Sequence, residues 1–185
     1  MGLIEQKILL DSGLAAAGAG QFDKAADFIS RVEVIDANTP YYYELHFSMS
    51  EILTLQEKHD EARKELAKIS TRSNQLNDFT TYNKAQVLMG ESFLRENAIN
   101  KANSCFSIVA LSVSSDEDTE ENKTGNEDNP EFMVYAELGV YHYALTLSQL
   151  GKNEERDNII KLYQKKWPQG KYLKELENPP SSITQ

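Results

Sequence analysis

Apolar residues recur every three or four positions along almost the whole chain, the period of helices with one buried stripe. Leu9, Leu10, Ala16 and Ala17 mark a first helix from Leu3 to about Ala19, ended by Gly18 and Gly20. Ala25, Phe28, Ile29 and Val32 mark a second, from Phe22 to Ile35, followed by a turn at Asp36-Ala37-Asn38. Thr39 is a good N-cap, and Pro40 suits a first helical position because its missing N–H has no partner there anyway. They start a third helix that runs to about Glu57. The fourth, Asp60 to about Thr71, sets Ala62, Leu66 and Ile69 against a polar side of Glu61, Arg63, Lys64, Glu65 and Lys68. After the polar link SNQLND come helices from Phe79 to about Arg95 and from Asn97 or Asn100 to about Val113. Asn129-Pro130 repeats the cap logic at the head of a helix from Pro130 to Leu150. That helix is apolar nearly all round, which predicts burial on more than one side. A helix from about Glu154 to Lys166, stopped by Pro168, and a short capping helix over Tyr172 to Glu177 complete the pattern.

The stripes share a register. Gly13 precedes Ala25 by twelve residues, and the same interval separates Ser50 from Ala62, Gly90 from Ala102 and Ala144 from Arg156. Three residues after the first member stand Ala16, Leu53, Phe93 and Leu147; four after the second stand Ile29, Leu66, Phe106 and Ile160. A small residue on each helix leaves a gap where its neighbour presses close, so the pattern predicts four antiparallel helical hairpins. They cover about 3–36, 39–73, 78–113 and 130–167.

This spacing resembles the tetratricopeptide repeat (TPR), most closely over GAGQFDKAADFISRVEVIDANTP and GKNEERDNIIKLYQKKWPQGKY. His46 and Gln86 stand where that family usually has Trp or Leu, and Arg156 replaces its second small residue. The resemblance implies an all-α, right-handed superhelical solenoid of about four hairpins with a C-terminal capping helix. It further implies a single domain over 1–177 and a protein–protein interaction module, an adaptor or assembly subunit. In that family the first helix of each hairpin lines a concave groove for a peptide or partner helix. Carried across, the groove positions are Glu44, Phe47, Glu51 and Leu55, then Lys84, Val87, Glu91 and Arg95, then Leu138, Tyr141, Leu145 and Gln149, the last set partly under the capping helix. The family's clamp for C-terminal carboxylates is not met: Lys84 matches one member, but Leu10, Leu14, Ser48 and Leu88 occupy the others.

Charge narrows the partners. A formal net charge of −10 argues against nucleic acid, whose phosphates need clustered Lys and Arg. No apolar run approaches the ~20 residues of a membrane helix, so no membrane insertion is expected. The opening MGLIEQKILLDSG lacks the charged-then-apolar layout of an export signal. With one cysteine, Cys105, no internal disulfide can form, which points to a reducing, cytoplasmic setting. The run 114–129, SSDEDTEENKTGNEDN, holds seven carboxylates against one Lys and is expected to be a mobile loop, as 178–185 is expected to be a flexible tail. In that loop Ser114 and Ser115 each have an acid three residues on and are candidate phosphoacceptors.

Candidate chemistry adds little. His46, His59 and His142 lie on separate helices without the spacing of metal ligands, and no metal or cofactor is expected. Cys105, beside Phe106, reads as a buried structural thiol. No phosphate loop or nucleophile elbow is present, so no catalytic residues are assigned and the protein is not expected to be an enzyme. Two alternatives stand beside the interaction module. One is an enzyme, or a regulatory domain of one, with a site assembled across helices; the other is a homo-oligomer that stacks through its end repeats.

Overall fold

Four of the five described residues with a left-handed backbone, Asn77 (φ 54°) being the fifth, define how the chain folds back within its hairpins. Gly20, Glu57, Asn97 and Gly151 have φ of 73°, 61°, 56° and 71°, and each lies seven residues after the first small residue of its hairpin. At all four turns the amide of the left-handed residue donates three residues back, from Gly20 to Ala17, Glu57 to Thr54, Asn97 to Leu94 and Gly151 to Ser148, at 2.9–3.0 Å. The next amide donates five residues back, to the carbonyls of Ala16, Leu53, Phe93 and Leu147, at 2.8–2.9 Å. This pair of bonds satisfies the last carbonyls of a helix while reversing the chain.

The computed structural model describes residues 2–33, 41–114 and 129–177. Its described secondary structure is entirely helical, as the periodicity predicts. The chain divides into two compact units, Met1–Asn77 and Asp78–Gln185. In the first, α1 (Leu3–Gly18) packs on α2 (Phe22–Ser30) and on α3 (Tyr42–Leu55), and α3 packs on α4 (His59–Gln75). Its core holds Leu9, Leu10, Ala25, Ile29, Leu45 and Ile52. In the second, α5 (Phe79–Arg95) packs on α6 (Ile99–Ser114), both pack on α7 (Pro130–Gln149), and α7 packs on α8 (Asn153–Lys166) and α9 (Leu173–Glu177). Phe132, Ala136, Val140, Tyr163, Trp167 and Leu176 make its core.

The small residues sit where the register puts them. Ala25, Ala62 and Ala102 have no exposed surface. A Cβ placed on Gly13 would fall 2.8 Å from Ile29, and one on Gly90 would overlap the Phe106 ring, so in both hairpins the residue sixteen positions on fills the gap left by the glycine. Arg156, at the fourth such position, is half-buried and pairs with Asp157 at 2.7 Å.

Two helix starts are capped by side chains, whereas Gln21, Tyr41, Lys58 and Lys152, at the starts of α2, α3, α4 and α8, make no side-chain cap bond. Asp78 accepts from the Thr81 amide at 3.1 Å, and Asn129 Oδ1 accepts from Glu131 and Phe132 at 2.9 and 3.3 Å. Asn129 Nδ2 also donates to Thr80 at 3.1 Å, tying the starts of α5 and α7 together. Two extents differ from expectation. α2 ends at Ser30, short of Ile35. α4 runs through Ser73, Asn74 and Gln75, where the polar run predicts a link; the Ser73 hydroxyl donates to the Ile69 carbonyl at 2.8 Å and so stays inside a helix. The Thr39–Pro40 cap, the turn at 36–38, most of the acidic run including Ser115, and 178–185 lie outside the described residues.

Candidate functional site

The groove positions are best followed one unit at a time. In α3, Leu45, Ser48 and Ile52 are buried, which leaves Glu44, Glu51 and Leu55 exposed and Phe47 half-buried on the other face. Glu44 lies 3.5 Å from Lys7 of α1, which also pairs with Asp11 at 3.2 Å. The Asp11 hydrogen bond and the nearby Glu44 charge raise the Lys7 pKa above its usual range, so the amine stays a cation. These exposed charges form a polar strip across α1 and α3.

The corresponding strip of the second unit is more heavily engaged. Lys84 of α5 reaches Glu131 of α7 at 3.2 Å and stands 5.3 Å from the centre of the Tyr135 ring. Glu91 lies 3.5 Å from Nε2 of His142, whose ring stacks on Phe106 at 4.9 Å. Arg95 is exposed at the end of α5. Val87 has no exposed surface, so it is a core residue and cannot face a groove. Tyr141 is largely covered: its ring stacks on Tyr172 at 4.2 Å and its hydroxyl donates to Glu175 at 2.6 Å. Burial first, and then that bond, push its phenol well above the ordinary range. Of the neighbouring positions, Leu138 and Leu145 are half-buried and Gln149 is exposed.

Arg63 and Glu65, expected on the polar side of α4, are buried. Arg63 is neutralised by Asp60. Glu65 accepts from His46 Nδ1 at 2.6 Å and from Lys68 at 2.9 Å. His46, standing where an apolar residue was expected, thus closes a polar contact inside the second hairpin. Nothing in the spacing of His46 and Glu65 announces this; the only signal is that each falls at an inward position of a helix whose partner supplies the opposite group. Cys105 is half-buried rather than enclosed. Ser114 ends α6, and its hydroxyl donates to the Ala110 carbonyl at 3.0 Å.

A second polar knot joins α7, α8 and the approach to α9. The Tyr163 hydroxyl donates to Glu137 of α7 and accepts from the Tyr172 amide at 3.0 Å, while the same Glu137 oxygen accepts from the Lys171 amide at 2.8 Å. It fastens the segment leading into α9 to both α7 and α8. Burial and the Glu137 bond raise the Tyr163 pKa far above its ordinary value.

Among the described residues no three His, Cys, Asp or Glu side chains converge as metal ligands, and no helix is long and apolar enough to cross a membrane. No family model, curated protein or solved structure matches the chain.

Proposed function

We propose that the chain is a helical-repeat protein of the tetratricopeptide kind that binds a peptide or partner helix on the first helices of its hairpins and catalyses nothing itself. The observation that carries this reading is the shared hairpin: four turns with the left-handed residue, the paired carbonyls and the close-packed small residues at the same offsets. Single hairpins built this way cannot bury their apolar faces alone and gain stability by stacking on the next hairpin of the same unit, which leaves the outward faces of that unit's first helices as a binding surface. The superhelical winding implied by the resemblance belongs to the same proposal. So does a reducing, cytoplasmic setting, in keeping with a single cysteine.

Phe47 in the first unit and Arg95 in the second are the residues to test, since aromatic and Arg contacts dominate interface energies, with truncations at hot spots costing ~2 kcal/mol or more. Phe47→Ala and Arg95→Ala, made separately, should each weaken affinity capture of the main partner from native extract while circular dichroism stays helical. Capture unaffected by either variant, with folding intact, would remove the assignment.

A second reading, self-association through the end hairpin, is favoured by Ile4 and Ile8, which are 78% and 57% exposed on α1. Light scattering decides it: a monomer that is indifferent to Ile4→Glu and Ile8→Glu excludes it.

A further inference from the structure

The outward side of α1 is apolar where a surface helix normally carries charge. Leu9, Leu10, Ala16 and Ala17 of this helix belong to the first core, and Ile4, Ile8 and Ala15 run along the middle of the opposite side. Ile4 and Ile8 are 78% and 57% exposed. The charged residues of α1 are Glu5, Lys7 and Asp11, and each is engaged close by. Glu5 accepts from the Gly2 amide at 2.9 Å, and Lys7 pairs with Asp11 at 3.2 Å and with Glu44 at 3.5 Å. What covers this side is therefore apolar rather than a charged peptide.

Side-chain size changes along the stripe in a way that selects the occupant. Ile4 and Ile8 fill its first half, Asp11 and Ser12 lie at the middle, and the exposed Ala15, Gly18 and Ala19 leave the second half low. A Cβ added at Gly18 would meet nothing within 4 Å. Turned end for end about a point between Asp11 and Ser12, the stripe matches itself, with Ile8 over Ala15 and Ile4 over Ala19. We propose that the occupant is a second copy of this chain, its α1 antiparallel to the first, with a twofold axis between Asp11 and Ser12. The alanines let the two helix axes approach to about 8 Å, the short end of the usual range. Two Asp11 carboxylates come together near the axis, and the Lys7 beside each offsets its charge. A sixteen-residue helix is about 24 Å long, too short to bury by itself the ~1,200 Å² or more of a stable complex. The dimer is accordingly weak, with a Kd on the order of 10–100 μM. It presupposes the self-association proposed above and gives it an orientation and an axis.

Sedimentation of the full chain over a range from ~1 μM to ~1 mM brackets that Kd. A monomer–dimer equilibrium should appear and tighten as salt rises, because each copy carries a net charge of −10 while the contact itself is apolar. Ala15→Leu adds apolar surface, which would favour unspecific association, but it overpacks against Ile8 of the second copy. It should weaken the dimer about tenfold while circular dichroism stays helical. Cross-linking fixes the direction independently. In a Cys105→Ser background, Ile8→Cys protein mixed with Ala15→Cys protein should form a disulfide-linked dimer on mild oxidation, and neither should do so alone. Ser12→Cys, next to the axis, should link to its own copy. A monomer at every concentration overturns the dimer together with the self-association reading. A dimer that Ala15→Leu leaves unchanged or strengthens, or that links through Ile8→Cys alone, overturns the antiparallel pair while self-association itself stands.

Discussion

A methyl group added at Gly90 would run into the ring of Phe106, which has no exposed surface and therefore no room to swing aside. Overpacking of this kind costs about 1–3 kcal/mol. Gly90→Val should therefore lower the unfolding free energy measured in urea melts by that amount, and a neutral or stabilising result would mean that the close approach of α5 and α6 is misplaced. The pair is legible in the sequence because both residues fall on the repeated register. The knot at Tyr163 is not, because Glu137, Tyr163 and Tyr172 are linked by no period and meet only once α7, α8 and the approach to α9 have packed. Tyr163→Phe leaves the Tyr172 amide without its acceptor and should cost about 1–2 kcal/mol at neutral pH. The pH dependence has a definite sign. The folded-state pKa of Tyr163 is raised, by burial first and then by Glu137, so its contribution is fully present below the unfolded tyrosine value of about 10 and is lost as pH rises toward the folded one. Denaturant melts of wild type and Tyr163→Phe should thus converge above pH ~10; a gap that stays constant there would show that the hydroxyl does not act through its protonation.

At the scale of the element, the helix ends separate what sequence can reveal from what it cannot. Gly20 and Gly151 are recognisable stops, since only glycine enters the left-handed region without steric cost. Glu57 is not: a glutamate reads as a helix former, yet the tertiary geometry of the second hairpin requires φ of 61° there. The extension of α4 past Thr71 was hidden for a related reason, because Ser, Asn and Gln suggest a link until a buried hydroxyl–carbonyl bond holds Ser73 in the helix. These observations make opposite predictions for one kind of substitution. Glu57→Gly should stabilise by about 1 kcal/mol by relieving the left-handed strain, whereas Gly151→Ala should destabilise by a similar amount. Equilibrium urea unfolding of the two variants checks the pair, and a shift in the same direction for both would contradict a common turn. Asn97, whose residue type tolerates the left-handed region, should respond only weakly to Asn97→Gly.

At the scale of the whole molecule, the all-helical class and nearly all of the described helices were readable from periodicity, but the division of the chain between Asn77 and Asp78 was not. A repeat register continues smoothly through that point, and nothing local distinguishes a junction within one array from a boundary between compact units. What distinguishes them is where buried apolar groups find partners, which is a long-range property. The hydrophobic cluster from Leu9 to Ile52 lies wholly within Met1–Asn77, and the cluster from Ala110 to Leu176 lies wholly within Asp78–Gln185. Asp78 caps its own helix by accepting from Thr81, so a chain starting just before it retains a proper helix start. A fragment of residues 78–185 should accordingly fold alone. The single tryptophan provides the probe, because Trp167 is buried in the second cluster against Tyr163, ring centres 5.3 Å apart, and reports on that unit only. Its fluorescence in the fragment should show one cooperative urea transition with the same midpoint as in the intact chain, alongside helical circular dichroism. A fragment that is unfolded, or whose Trp167 transition moves to markedly lower urea, would mean that the second core depends on residues before Asp78.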